Sequence, residues 1–245
     1  MFFVSIGATI LWGVTYGARC IAWGESVAIV GDDMRCIRRL SLLVLVVMVV
    51  TLCGCGRSVS SMRSSLGENI DNKNLNGALA DSAALMKKDK AEFINAISSR
   101  DMNSLDSIFY FLMAKATFER NKDESLEWFF TAYLCGMYDA YRCEDKTARQ
   151  GVLVIMSTIP EVVQYALDFS KKEPDKFSKI VSRSIHRADS YHLIGDPNWV
   201  CGHGIKSFNG QTPQLLPESD WEAIYADQRE ALVKSANVKE VQPQN

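Results

Sequence analysis

The sequence predicts an all-α domain, a bundle or array of about six to seven helices paired as antiparallel hairpins, with a C-terminal loop pinned by a disulfide. Three observations predict it. From about Leu79 to Leu232 the apolar residues recur at spacings of three and four. Short polar breaks, such as Asp101–Ser104 and Asn121–Asp123, separate the apolar runs. Pro160 and Pro174 each precede a carboxylate, Glu161 and Asp175, where a first helical turn tolerates a missing amide and favours negative charge.

Ahead of that domain the chain is organised differently. Residues 34–54 start with Met34 and three arginines, Arg35, Arg38 and Arg39, continue through the apolar stretch Leu40 to Leu52, and lead to Gly54-Cys55. The arginines keep the head of such a segment on the cytoplasmic side, and the apolar stretch is short for a lasting span. The layout resembles the signal peptide of bacterial lipoproteins, with Leu52-Cys53-Gly54-Cys55 similar to the lipobox. That resemblance implies cleavage before Cys55 and a lipid anchor on its thiol, palmitate included, which replaces a transmembrane helix. Cys53 suits the role less well because the bulky Leu52 precedes it, whereas Gly54 is the small residue that such a site needs.

Residues 1–33 read as an upstream extension, with Met34 as the true start. If translated, the apolar Phe2 to Tyr16 has the composition of a membrane-inserting helix of marginal length. Gly56, not aspartate, follows Cys55. In cells of the enterobacterial type that implies an anchor in the outer membrane, with the domain facing the periplasm.

The segment 55–76 is rich in Ser, Asn and Gly and reads as a flexible tether. The helical domain then occupies 77–237. Leu85, Met86, Phe93, Ile94 and Ile97 suit one helix, and Leu105, Ile108, Phe109, Leu112 and Ala116 the next. Leu126, Phe129, Phe130, Tyr133, Leu134, Met137 and Tyr141 suit a long third helix, antiparallel to the second. Phe111-Leu112-Met113-Ala114 followed by Ser125 to Ala132 and Gly136 resembles one unit of the Sel1-like and tetratricopeptide repeats, over about residues 109–136. Those repeats stack helix pairs into scaffolds for partner binding, but no second copy follows at a fixed period, and such arrays need about three.

Thr147-Ala148-Arg149-Gln150 has the form of a capping box, so a helix through Val152 to Met156 is expected, with a strand left open by its β-branched cluster. Two helices follow Pro160 and Pro174. Ile194–Pro217 is the long irregular stretch, and loops of that length are functional or stapled. Ser219 to Glu222 suggests a second capping box, opening a last helix, and 238–245 reads as a disordered tail.

Of seven cysteines, Cys135, Cys143 and Cys201 remain in the domain, in an oxidising compartment if export occurs. On one helix Cys135 and Cys143 would lie about 12 Å apart, beyond disulfide reach. Cys143 falls at the end of its helix and Cys201 in the loop Trp199-Val200-Cys201-Gly202, two ends free to meet, so the expected bridge is Cys143 to Cys201, leaving Cys135 a buried free thiol.

Net charge is −2 with charges interspersed, which gives nucleic acid no electrostatic footprint. His186, His192, Cys201 and His203 lack the spacing of a metal site, and no cofactor is expected. No nucleophile elbow or phosphate-cradling glycine loop occurs. Glu124, Glu127, Asp139, Glu144 and Asp145 read as solvated carboxylates. The aromatic crowding from Trp128 to Tyr141 admits core packing on both sides. It also admits a protein contact lined by Trp128, Tyr138, Tyr141, Trp199 and His203. The functional expectation is a lipid-anchored envelope protein acting as a non-catalytic protein-binding module. Its partner would be a periplasmic toxin, as for an immunity-type inhibitor, or a secretion or envelope machine to which it is an accessory. An envelope hydrolase with an unrecognised site is the alternative.

Overall fold

The computed structural model describes residues 57–191 and 197–238. These form eleven α-helices with no strand among them, so the domain is all-α. In order they are α1 (Val59–Asp71), α2 (Leu75–Lys88), α3 (Lys90–Ser98), α4 (Ile108–Thr117), α5 (Lys122–Arg142) and α6 (Gln150–Ser157). There follow α7 (Pro160–Lys172), α8 (Pro174–Ser190), α9 (Asn198–Cys201), α10 (Ile205–Phe208) and α11 (Trp221–Ser235). Residues 1–56 and 239–245, which carry the signal segment, Cys55 and most of the expected tail, lie outside the described residues.

The organising element is α5. Asn121 starts it by accepting from the Glu124 amide, Asp123 and Glu124 suit the positive end of the helix dipole, and Arg142 suits the negative end. Its 21 residues pack against α4, α8 and α11 on successive faces. That explains why its aromatic residues exceed one stripe. Phe111, Phe129, Phe130 and Phe177 meet edge to face in series, tying α4 to α5 and α5 to α8. Fully burying side chains such as Leu126 and Leu134 stabilises by roughly 1.5–3 kcal/mol each.

Helices are more numerous than the six or seven expected, for three local reasons. The first predicted helix is two, because Asp89 ends α2 in an extended conformation while its carboxylate accepts from Glu92 N and so opens α3. Two short helices, α9 and α10, sit in the stretch read as irregular. The third is α1, within the segment expected to be a tether. Ser58 caps it through Ser61 N, Leu66 is buried, and Arg57, Ser65 and Asn69 all bond the buried carboxylate of Asp81 on α2. A polar segment is thus folded by charges supplied from elsewhere in the chain, which composition alone does not show.

Three boundaries also differ from expectation. Lys146–Arg149 is a 3-10 turn opened by Asp145, and α6 begins at Gln150 without a capping side chain. Ser219 lies in the 3-10 turn Glu218–Asp220 and bonds Asp220, leaving α11 uncapped by a side chain. Val238 does not fray: it is buried, and its amide donates to the Val233 carbonyl at 3.0 Å.

Candidate functional surface at the end of α5

At the C-terminal end of α5 the chain must turn sharply, and Cys143 is joined there to Cys201 of α9 by a disulfide. The expected pairing is the one observed, with Cys135 free and buried. Around the bridge the loop after α10 folds back onto α5. Leu216 N donates to the Arg142 carbonyl at 2.8 Å, and Glu144 N donates to the Gln214 carbonyl at 2.9 Å. A single antiparallel bridge pairs Cys143 with Leu215. The C-terminal loop is therefore pinned by one covalent link and a short ladder.

Beneath it lies a polar cluster that was not anticipated. Asp139 was read as solvated, yet it is 5% exposed, and Arg142, one turn on, is 1% exposed. Arg142 Nη2 donates to Asp139 Oδ1 at 2.6 Å. Asp139 Oδ2 accepts from Ser107 Oγ at 2.7 Å and from Trp199 Nε1 at 2.8 Å. The guanidinium also lies between the rings of Tyr138 and Trp221, at 4.4 and 4.6 Å. Burial pushes the Asp139 carboxyl up from the usual carboxylate range, opposed by the Arg142 charge and by the three donors. Its neighbour Cys135 is pushed up by burial and by the Asp139 charge, which keeps the thiol protonated and unreactive.

This cluster decides the fate of the aromatic residues proposed as a contact. Trp199 is buried as a donor to Asp139, and Tyr138 is buried between Arg142 and Tyr225. Trp128 is buried against Tyr110, with the Arg187 guanidinium over its ring at 4.3 Å. None of the three presents a docking face. They pack because α5 has neighbours on every side, the core alternative for this aromatic run. Tyr141 and His203 differ. Tyr141 is half-buried under the Arg149 guanidinium at 3.7 Å, and His203 is exposed with Nδ1 2.9 Å from the Trp199 carbonyl.

Those two belong to one surface, built by the Asp145 turn. Asp145 accepts from the amides of Thr147 and Lys206, and Thr147 Oγ1 accepts from Ile205 N. These bonds hold α10 against the start of α6. A Cβ on Gly151 would stand 3.1 Å from Val200 and 3.3 Å from His203, so a larger residue there would push these side chains back by a few tenths of an ångström. The result is a surface carrying Tyr141, Arg149 and His203 beside Ile205 and Phe208, of which Phe208 is 76% exposed. Spacing in the sequence did not single out Ile205 or Phe208, because nothing local shows that α10 turns its apolar side chains outward.

The remaining carboxylates divide. Glu127 accepts from Arg187 at 3.0 Å and also pairs with Arg183, bracing α5 against α8, while Glu144 pairs with Lys206 on the surface. Comparison with family models, with characterised proteins and with solved structures returned no match.

Proposed function

We propose that the chain is an envelope lipoprotein, held in the outer membrane through lipid on Cys55, whose helical domain binds another protein without catalysing a reaction. One observation carries the reading. A charged head, an apolar stretch and Gly54-Cys55 stand four residues ahead of the first turn of a folded helical domain, at Val59. A disulfide at Cys143–Cys201 agrees with an oxidising compartment. The surface of Tyr141, His203, Ile205 and Phe208 supports the binding role, since an aromatic and an aliphatic side chain left largely exposed beside cations suit a protein contact. Its partner on this reading is a periplasmic toxin, which it neutralises, or a component of a secretion or envelope machine.

Labelling with palmitate tests the anchor. Incorporation into the chain and its loss in Cys55→Ser are expected; an intact peptide crossing Gly54-Cys55 in the mature product ends the reading. For the contact, a photocrosslinking residue at Phe208 should capture one envelope or toxin protein, and Arg149→Glu should reduce that capture at least about tenfold. Capture unchanged in that variant removes the surface from the proposal.

A further inference from the structure

A second apolar surface lies on α6 and α7. Leu153 and Val154 are 50% and 55% exposed, Leu167 is 53% exposed, and Ile155 and Met156 are half-buried beside them. Helix α6 is only eight residues long, so it rises about 12 Å, far short of a bilayer. Among the described residues no single helix is long and apolar enough to cross a membrane. The segments Lys146–Ser157 and Pro160–Lys172 are long and apolar enough only when taken together, and they meet at a bend of 90°. An apolar corner of this kind suits the boundary between headgroups and acyl chains, where a helix lies in the plane with its apolar side chains inserted.

Position supports that occupant. The segment 146–160 carries no carboxylate, and on α7 Glu161 and Asp168 are matched by Lys171 and Lys172, so no net negative charge on the corner opposes a bilayer surface. The corner also shares an end of the bundle with the start of the domain. Lys88 Nζ donates to the Arg57 carbonyl at 2.6 Å, placing the end of α2 beside the residue that precedes α1. Lys90, which opens α3, pairs with Glu119 between α4 and α5 at 2.6 Å. Lys115 Nζ, on the last turn of α4, donates at 3.0 Å to the carbonyl of Thr158, in the corner itself. Three lysines thus link the entry of the chain to the α6–α7 corner through adjoining ends of helices. Four residues of backbone reach at most about 14 Å, so lipid on Cys55 would bring this end of the domain to the bilayer.

We infer that Leu153 and Val154 of α6, with Leu167 of α7, insert into the headgroup region of the anchoring membrane and lay the domain on its surface. The inference rests on the anchored reading above and adds a second, non-covalent attachment with a defined orientation. It leaves the face of Tyr141, His203 and Phe208 as a separate surface for the protein partner.

The test uses the full chain, produced in a lipidating host and placed in vesicles of phosphatidylethanolamine and phosphatidylglycerol whose acyl chains carry a diazirine. After irradiation, mass spectrometry should find lipid adducts on the peptides spanning 150–172. Adducts should fall about tenfold in Leu153→Asp/Val154→Asp, with the lipid mass on Cys55 and the melting temperature unchanged. Both side chains are half-exposed, so that variant should fold; Leu153→Ser/Val154→Ser should show an intermediate loss. Unlabelled 150–172 peptides in a chain that carries its lipid on Cys55 overturn the contact alone. Absence of lipid on Cys55 overturns the reading on which it rests. A crosslink from this face to an envelope protein instead of lipid also overturns it.

Discussion

The two ends of this domain are held together in different ways. At the end of α5 a disulfide, a buried ion pair and a stacked guanidinium converge within one turn of helix, and nearly every group is out of water. In α1 the attachments are Leu66, the half-buried Val59, Met62 and Ile70, and ion pairs that each keep at least one member in solvent: Arg57 to Asp81, Arg63 to Glu92, Arg100 to Asp71. Exposed pairs contribute about 0–1 kcal/mol each, whereas breaking a buried pair costs about 3–5 kcal/mol. The stapled end should therefore open only with global unfolding, while α1 should open by itself at lower free energy.

The sharpest way to break this contrast is Asp139→Ala. It strands Arg142 in the interior and removes the acceptor of Trp199 and Ser107, so a loss of about 5 kcal/mol in urea unfolding is expected. A loss under 1 kcal/mol would place the cluster in water. Next is the Cys143→Ala/Cys201→Ala pair. The bridge spans 58 residues of sequence, and its removal should cost about 4 kcal/mol by loop entropy. Before that substitution, thiol labelling of the denatured mature domain should reach Cys135 alone of its three cysteines; labelling at Cys143 would count against the bridge. Leu66→Ala should cost about 3 kcal/mol. Its diagnostic is hydrogen exchange, which should rise in residues 59–71 and leave the amides near Cys143 protected.

The smallest effect concerns pH. Burial raises the Asp81 carboxyl, but bonds from Ser65, Asn69 and Arg57 outweigh it, so its pKa falls below the ordinary 3.8. A lowered folded-state pKa gives stability that is present above the unfolded value and lost as pH falls through the folded one. Hence α1 should loosen first as pH drops below about 3.8. Asp71, held low by Arg100, acts in the same sense. Protection of α1 relative to the intrinsic exchange rate that stays flat from pH 6 down to about 2 would remove the acid-sensitive part of the comparison.

The two regions also differ in how far the sequence announced them. Periodicity sufficed for α4 and α5, because their apolar spacing and the Asn121 break are local signals, and Pro160 and Pro174 marked the starts of α7 and α8. The bridge followed from placement: helix geometry kept Cys135 and Cys143 apart, and Cys143 at the helix end was free to meet Cys201 where Cys135, inside the helix, was not. By contrast α1 was hidden because its partners, Asp81, Glu92 and the side chain of Arg100, lie 12 to 29 residues away. Asp139 was hidden for a related reason. A carboxylate three residues before an arginine is a common surface pair, and only Trp199, 60 residues on, shows that it is buried. Tyr141 and His203 were placed at the surface but Trp128, Tyr138 and Trp199 in the core, a division that depends on which faces α8, α9 and α11 cover.

Burial of Cys135 carries a consequence for the order in which the chain matures. Three thiols allow three pairings, and two of them would strand a cysteine of the native bridge. Once α5 is wrapped by its neighbours, Cys135 is both inaccessible and held in its protonated form, so it drops out of thiol exchange. Closure of the interior thus acts as proofreading. Cys143 and Cys201 are themselves 2% exposed in the finished fold, so an oxidant reaches them only while this end is still open, when the docking of α5 already shields Cys135; one acting on the extended chain would have to be corrected by reshuffling.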